Sequence, residues 1–330
     1  MSVRLDYIDA SRGLAIFTVV YSHICLFCLP AYEPSVILDF LRTYFLNAFF
    51  FISGFVAYKP VKQSARFYIV QLFNKTGLLL VPTFTVGIIY AVTHNIEIVR
   101  FLFDDAKYGY WFTFVLFEMF TIYYVVCILS SLISKSWIAN GILFLIAVGL
   151  YLTNRSGYNI SRIYDIFCFG NLSNYFIYFS FGLVTREYKP LINKLSFNYS
   201  NTIVALASIL MLSSYIIYIP SVLKSISILI VVMYLMKTIY GQNQAPDFIS
   251  PLKNGLLILG RYTLEIYFIH YFLLFPLPLA LGKYFEELSV GGKSLSFPEF
   301  MIIGVIVISI SYTCILLSYF IKKILVDDKN

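Results

Sequence analysis

An arginine and a histidine stand eleven residues apart in the stretch YIDASRGLAIFTVVYSHICLFCL, residues 7–29. The stretch is apolar and long enough to cross a bilayer as a helix of about 20 residues. A central arginine in such a helix costs about 2.5–3.5 kcal/mol, so Arg12 needs a reason to be there. On a helix, Arg12 and His23 fall about 20° apart around the axis and about 16.5 Å apart along it. They share one face. A guanidinium offers a planar fork of donors that fits a phosphate. An imidazole exchanges protons near neutral pH. The pair suits a long anionic ligand, its charged end at Arg12 and its reactive end at His23. The plainer reading of Arg12 is an ion pair with Asp9, three residues earlier on the same helix.

Other residues of this kind are few. The chain has three histidines, His23, His94 and His270. His270, in GRYTLEIYFIHYF, is expected at the depth of His23, so the two are expected to share a site; His94 lies at the end of a third apolar segment. None sits in H-E-x-x-H or a similar pattern, and no metal is expected. Glu118 follows Trp111 by seven residues and shares its helix face. A carboxylate inside the bilayer must meet a polar cavity or a cation, with Arg42 a possible partner. Tyr110 and Trp111 read as an interfacial belt. Ser53-Gly54 permits close helix approach. Arg261 and Glu265 are spaced to pair with each other. Cys25 and Cys28 form a C-x-x-C without the following histidine or second pair that haem or zinc would need, so they read as packing residues.

The elements that must hold these residues are membrane helices. The chain has 330 residues, 60% hydrophobic and 12% charged, with a mean hydropathy of +0.82. Soluble domains carry about 25% charged residues. The expected fold is all-α, a polytopic bundle of about ten transmembrane helices forming a single domain over residues 1–330. The segments fall near 7–29, 36–58, 72–92, 111–133, 137–153, 163–184, 202–219, 221–239, 254–276 and 299–321. Lysine and arginine crowd one set of loops, which places both termini in the cytoplasm. The loops 93–110 and 277–298 are then external, with Asp104, Asp105, Glu286 and Glu287 available to cover an outward-facing site. The net charge of +7 reads as topology and attraction to membrane lipids, and no nucleic-acid motif accompanies it. No Walker loop, dinucleotide fingerprint or G-x-S-x-G elbow is present.

In these residues the chain resembles the acyltransferase-3 family of membrane O-acyltransferases. The likeness rests on Asp9-x-x-Arg12-Gly13 followed by His23, on FFFISGF at 49–55, YWF…LFE at 110–118, NYFIYFSFGLV at 174–184 and GRYTLEIYFIH at 260–270. It implies transfer of an acyl group, usually acetyl, from cytoplasmic acyl-CoA to a hydroxyl of a cell-surface polysaccharide or lipid-linked sugar, at the cell membrane. It implies catalytic roles for His23, Arg12, Glu118 and His270. Arg12, Lys75, Ser53 and Trp111 would line the donor, acetyl-CoA. One departure is that the family often carries a basic pair before the proline of the third helix, whereas FNKTGLLLVP has Lys75 alone before Pro82. The competing class is a proton-coupled transporter or exporter of a sugar or organic anion, which would also use intramembrane Arg, Glu and His.

Overall fold

A computed structural model describes residues 5–28, 36–59, 63–131, 136–155, 162–194, 197–241, 250–274, 283 and 297–327. Every regular element among them is helical. They group into two compact units, one of residues 1–49 and 197–330 and one of residues 50–196. The expected external loop 277–298, with Glu286 and Glu287, lies almost wholly outside the described residues.

The first unit is built on α1 (Asp6–Phe27). Between residues 8 and 25 every α1 side chain is buried except Arg12, Leu14, Phe17 and His23. A helix apolar on all sides belongs in the centre of a bundle. Around it pack α11 (Ser221–Gly241), α12 (Ser250–Arg261), α13 (Thr263–Ile269) and α14 (Phe297–Asp327), while α10 (Phe197–Ser213) packs on α11. The closest approach is backbone to backbone. A Cβ on Gly13 would stand 1.9 Å from the Leu256 carbonyl oxygen, and one on Gly260 would stand 1.8 Å from that of Asp9. The two glycines are mutual notches, and small residues are what let membrane helices come this close.

The ninth apolar segment is not the straight span the sequence suggests. It breaks at Tyr262, and the two halves meet at 69°. The break is chemically supported: the Thr263 hydroxyl donates to the carbonyls of Leu259 and Gly260 (3.2 and 2.9 Å), two of the groups that lose their helical partners there. The chain then tightens into a 3₁₀ turn over His270–Leu273. The bend also undoes the expected Arg261–Glu265 pair. Four residues apart make neighbours only on a continuous helix, and Glu265 instead accepts from Lys322 at 2.8 Å.

The first part of α2 (Val36–Ala57) belongs to the first unit, where the Tyr44 hydroxyl donates to the Ser11 carbonyl at 3.2 Å. Its last turns belong to the second unit. There a Cβ on Gly54 would meet the Phe179 carbonyl oxygen at 2.0 Å, and one on Gly182 the Phe51 carbonyl oxygen at 2.0 Å. This notched crossing joins α2 to α9 (Phe169–Lys194), the close approach that Ser53-Gly54 foreshadows. The third span starts earlier than residue 72. It runs Ala65–Thr93 as α3 (Ala65–Lys75), a π-helical turn (Thr76–Leu80) and α4 (Val81–Thr93). Pro82 follows that wide turn, and its ring would clash with the preceding turn of a regular helix. α4 is tied to α6 (Trp111–Ser131) by a buried Thr83–Thr113 hydroxyl pair at 2.6 Å. α5 (Ile98–Phe103), α7 (Ser136–Arg155) and α8 (Arg162–Ile166) complete the unit.

Among the described residues, six helices can cross a membrane by length and composition, or seven if the bent α12–α13 pair counts as one. The expected count of about ten is not confirmed, although helices occupy all ten segments. Residues 141–154 and 201–213 are apolar but short, and α9 opens on Asn171 and Asn174 and closes on Arg186, Glu187 and Lys189.

The notch at Gly260 has a direct consequence. Gly260→Ala forces a methyl group into fixed backbone and should destabilise the folded protein by about 3 kcal/mol. Gly255→Ala, on the same helix with open space around it, should be neutral or stabilise by up to about 1 kcal/mol. Thermal unfolding in detergent, followed by monodisperse yield, checks the contrast.

Candidate active site

The first unit brings His23 and His270 together. His23 Nδ1 and His270 Nε2 are 2.9 Å apart, with the rings nearly parallel. The position of every ring hydrogen follows from the partners. His270 Nδ1 faces the carbonyls of Ile266 and Tyr267 at 3.0 and 2.8 Å. Carbonyls only accept, so Nδ1 carries the proton, and in the neutral ring Nε2 is then an acceptor. His23 Nδ1 must therefore donate to it. That leaves His23 Nε2 as a bare lone pair, met by the Tyr271 hydroxyl, which donates at 3.3 Å. The sequence supports this arrangement locally. α13 ends at Ile269, where the His270 backbone N–H still bonds the Ile266 carbonyl, and the His270 side chain adds a second donor at that carbonyl and at that of Tyr267. His270 is fully buried; His23 is partly accessible.

Arg12 lies at the other end of α1. Its Nη1 is 3.8 Å from Asp9 Oδ1, with the carboxylate buried and 31% of the arginine side chain exposed. The spacing argument thus holds for the pair and for the accessibility of both Arg12 and His23. The strip between them is closed, however. Ile16, Val19 and Val20, which share their face, are all buried, because neighbouring helices surround α1. A ligand reaching both ends does not lie along an open groove on α1. Arg42 is also near this site, its Nε donating to Ser22 Oγ at 3.2 Å. Neither sequence pattern nor spacing marks that contact, and it engages the arginine otherwise expected for Glu118.

The second unit holds the remaining candidates. Among the described residues, Glu118 Oε2 is buried with no hydrogen-bond partner, and the Lys107 ammonium is close enough to act on its carboxylate. Lys107 is itself 1% exposed. Its Nζ donates to the carbonyls of Leu102, Asp104 and Asp165 at 2.9, 2.8 and 3.4 Å. A run of left-handed residues, Lys107, Tyr108 and Gly109 (φ 45°, 48° and 99°), turns the lysine inward. Beside it, burial pushes the Cys168 thiol up to about 12 against the opposing pull of Lys107, so it is not a thiolate nucleophile. Lys75 places its ammonium 4.2 Å over the Phe120 ring. Trp111 stacks on Tyr175 at 5.5 Å. Ser53 is half-buried beside the Gly54 notch. His94 belongs to this unit as well, stacked on Tyr90 at 4.0 Å with Nδ1 on the Tyr90 carbonyl.

The chain is helical, with several candidate membrane spans and a buried, hydrogen-bonded imidazole pair. The sequence profile of the Acyltransferase domain, acyltransferase-3, matches residues 5–316. The chain belongs to this family and is a membrane acyltransferase; that assignment favours group transfer over the transport reading. No curated protein and no solved structure matches the chain.

The assigned ring hydrogens are directly measurable. In ¹⁵N-histidine-labelled His94→Gln protein, two histidines remain. Both should show a protonated Nδ1 and an unprotonated Nε2 by nitrogen chemical shift. A protonated His270 Nε2 would reverse the direction of the whole chain of hydrogen bonds.

Proposed function

We propose that the protein transfers an acetyl group from cytoplasmic acetyl-CoA to a carbohydrate hydroxyl, on a cell-surface polysaccharide or lipid-linked sugar, with His23 as general base. The observation that carries this reading is the lone pair on His23 Nε2, held outward by the Nδ1–H bond to His270. The acceptor hydroxyl would replace the Tyr271 hydroxyl at Nε2 and pass its proton there. As the hydroxyl oxygen attacks the thioester carbonyl, a C–O bond forms and the C–S bond breaks. The leaving CoA thiolate takes the proton back from the imidazolium. His270 stabilises the transient positive charge through the same hydrogen bond, in the way a triad carboxylate orients its histidine. A covalent acyl-histidine on Nε2 is the variant of this scheme in which the acyl group, rather than the proton, is held there.

Arg12 is the proposed anchor for the donor phosphates, because its guanidinium is a planar fork of donors that fits a phosphate and 31% of its side chain is exposed. Lys75 is a secondary candidate. The lysine and arginine asymmetry of the loops supports a cell-membrane protein with both termini cytoplasmic, and that orientation puts Arg12 on the side where acyl-CoA is made.

Four variants test the division of labour, each compared at equal monodisperse yield. Arg12→Ala should raise the acetyl-CoA KM about tenfold or more, and Arg12→Lys should recover only part, since an ammonium lacks the planar fork. His23→Ala should leave acetyl-CoA affinity unchanged and cut turnover by about 10²–10⁴. His270→Phe should lower kcat with little change in either KM, and His270→Asn, whose amide oxygen can accept from His23 Nδ1, should restore part of it. Wild-type turnover in folded His23→Ala would remove the proposal. Radiolabel retained on the protein after acetyl-CoA without acceptor would select the covalent variant.

A further inference from the structure

The Tyr271 hydroxyl stands where the acceptor hydroxyl must go. Tyr271 follows His270 in the 3₁₀ turn, and its hydroxyl donates to His23 Nε2 at 3.3 Å. Hydroxyl bonds are usually about 2.8 Å long, so this one is weak and readily exchanged. The phenol ring itself is held. It lies 4.3 Å from the His270 ring and 5.0 Å from the His23 ring, and Phe27 meets it edge-on at 6.4 Å. The residue is 8% exposed. A buried hydroxyl that loses its acceptor costs about 1–3 kcal/mol unless it finds another. Displacement by the acceptor therefore leaves an oriented donor beside the reacting atoms.

We infer that Tyr271 is a catalytic residue, the donor that holds the oxyanion formed when the acceptor attacks the acyl carbonyl. The inference rests on the proposed transfer with His23 as base. The acceptor oxygen takes the place of the phenol oxygen at Nε2, so the carbonyl it attacks comes within reach of the same phenol. The acceptor proton passes to Nε2, the new C–O bond forms, and the carbonyl π pair moves onto its oxygen. Nε2, now protonated, no longer accepts, and the Tyr271 O–H turns to the oxyanion while keeping its own proton. When the C–S bond breaks, the pair returns to the carbonyl and the thiolate takes the proton from Nε2. The phenol then regains its place at the lone pair. A hydrogen bond to a charged oxygen is about twice as strong as a neutral one, so the switch gains more than it gives up. Arg42 is the rival donor. Its side chain is exposed, but its Nε is engaged by Ser22 Oγ at 3.2 Å, and Ser22 stands about 100° around α1 from His23. Its charge acts on the His23 ring, whereas it is Tyr271 that is hydrogen-bonded to the reacting nitrogen.

The plain alternative is a plug, a phenol that only covers the lone pair until the acceptor arrives. The two roles predict opposite signs. Full-length protein in nanodiscs is assayed for label transfer from acetyl-CoA to the producing cell's own envelope polysaccharide, deacetylated with mild base. As an oxyanion donor, Tyr271→Phe should lose about 10²–10³-fold in kcat, with both KM values within about twofold of wild type. 3-Fluorotyrosine in place of Tyr271 has a more acidic O–H and nearly the same shape, and should raise kcat about twofold or more. A plug gives the reverse: Tyr271→Phe equal to or faster than wild type, and the fluorinated protein slower. That order overturns the inference, as does an unchanged kcat in either protein. The fluorinated protein differs by one atom and decides alone should Tyr271→Phe fail to fold. The same series is read in cells fed radiolabelled acetate, as base-labile label in the envelope, which any acetyl donor in the cell can supply. Label in cells without transfer from acetyl-CoA in nanodiscs defeats the proposed donor, and the order of the variants in cells then decides on Tyr271. Envelope label that does not depend on the protein defeats the proposed function and the inference with it.

Discussion

The crossing of α1 and α12 at Gly13 and Gly260 is the constraint on which the geometry of the histidine pair depends. The two backbones touch where any Cβ would collide with a carbonyl oxygen. This fixes where α12 ends, and the Tyr262 bend then fixes the direction in which α13 leaves. Only with that direction does residue 270 arrive beside residue 23. The His23–His270 hydrogen bond of 2.9 Å is thus set by a contact more than two helical turns away, between residues without side chains. Packing at a glycine notch is stiff, since backbone cannot change rotamer to relieve a clash. A site that must hold a proton acceptor to a few tenths of an ångström benefits from being built on it.

Helical phase made Arg12 and His23 legible, because both lie on one continuous helix and 3.6-residue periodicity is enough to place them. His270 was legible as a companion, because topology put it at the same depth. The Asp9–Arg12 pair followed from spacing alone. The notch at Gly54 was visible as Ser53-Gly54, though not which carbonyl it faces, and those at Gly13, Gly182 and Gly260 carried no such reading. The membrane class was the easiest reading, being a property of composition.

What escaped depends on breaks in regularity or on distant chain. Glu265 was assigned to Arg261 on the assumption of an unbroken helix, and one non-helical residue between them redirects it to Lys322. The burial of Lys107 needs left-handed backbone at two non-glycine residues and a carbonyl from Asp165, 58 residues away. No local pattern announces either. The closed strip at Ile16, Val19 and Val20 was hidden because α1 reads as a two-faced helix when only its polar residues are considered. Its remaining residues are apolar on every side, and the bundle covers them.

The coupled imidazoles also limit how many protons the site can hold. Two hydrogens fill the neutral pair: one on His270 Nδ1 against two carbonyls, the other on His23 Nδ1 in the bridge. A third has one vacancy, His23 Nε2. A fourth would set two N–H groups head to head across 2.9 Å. With His23 as the proposed general base, the dyad would be a single-proton store that must empty before it can fill again, and turnover in mixed light and heavy water should vary linearly with deuterium content when that transfer sets the rate.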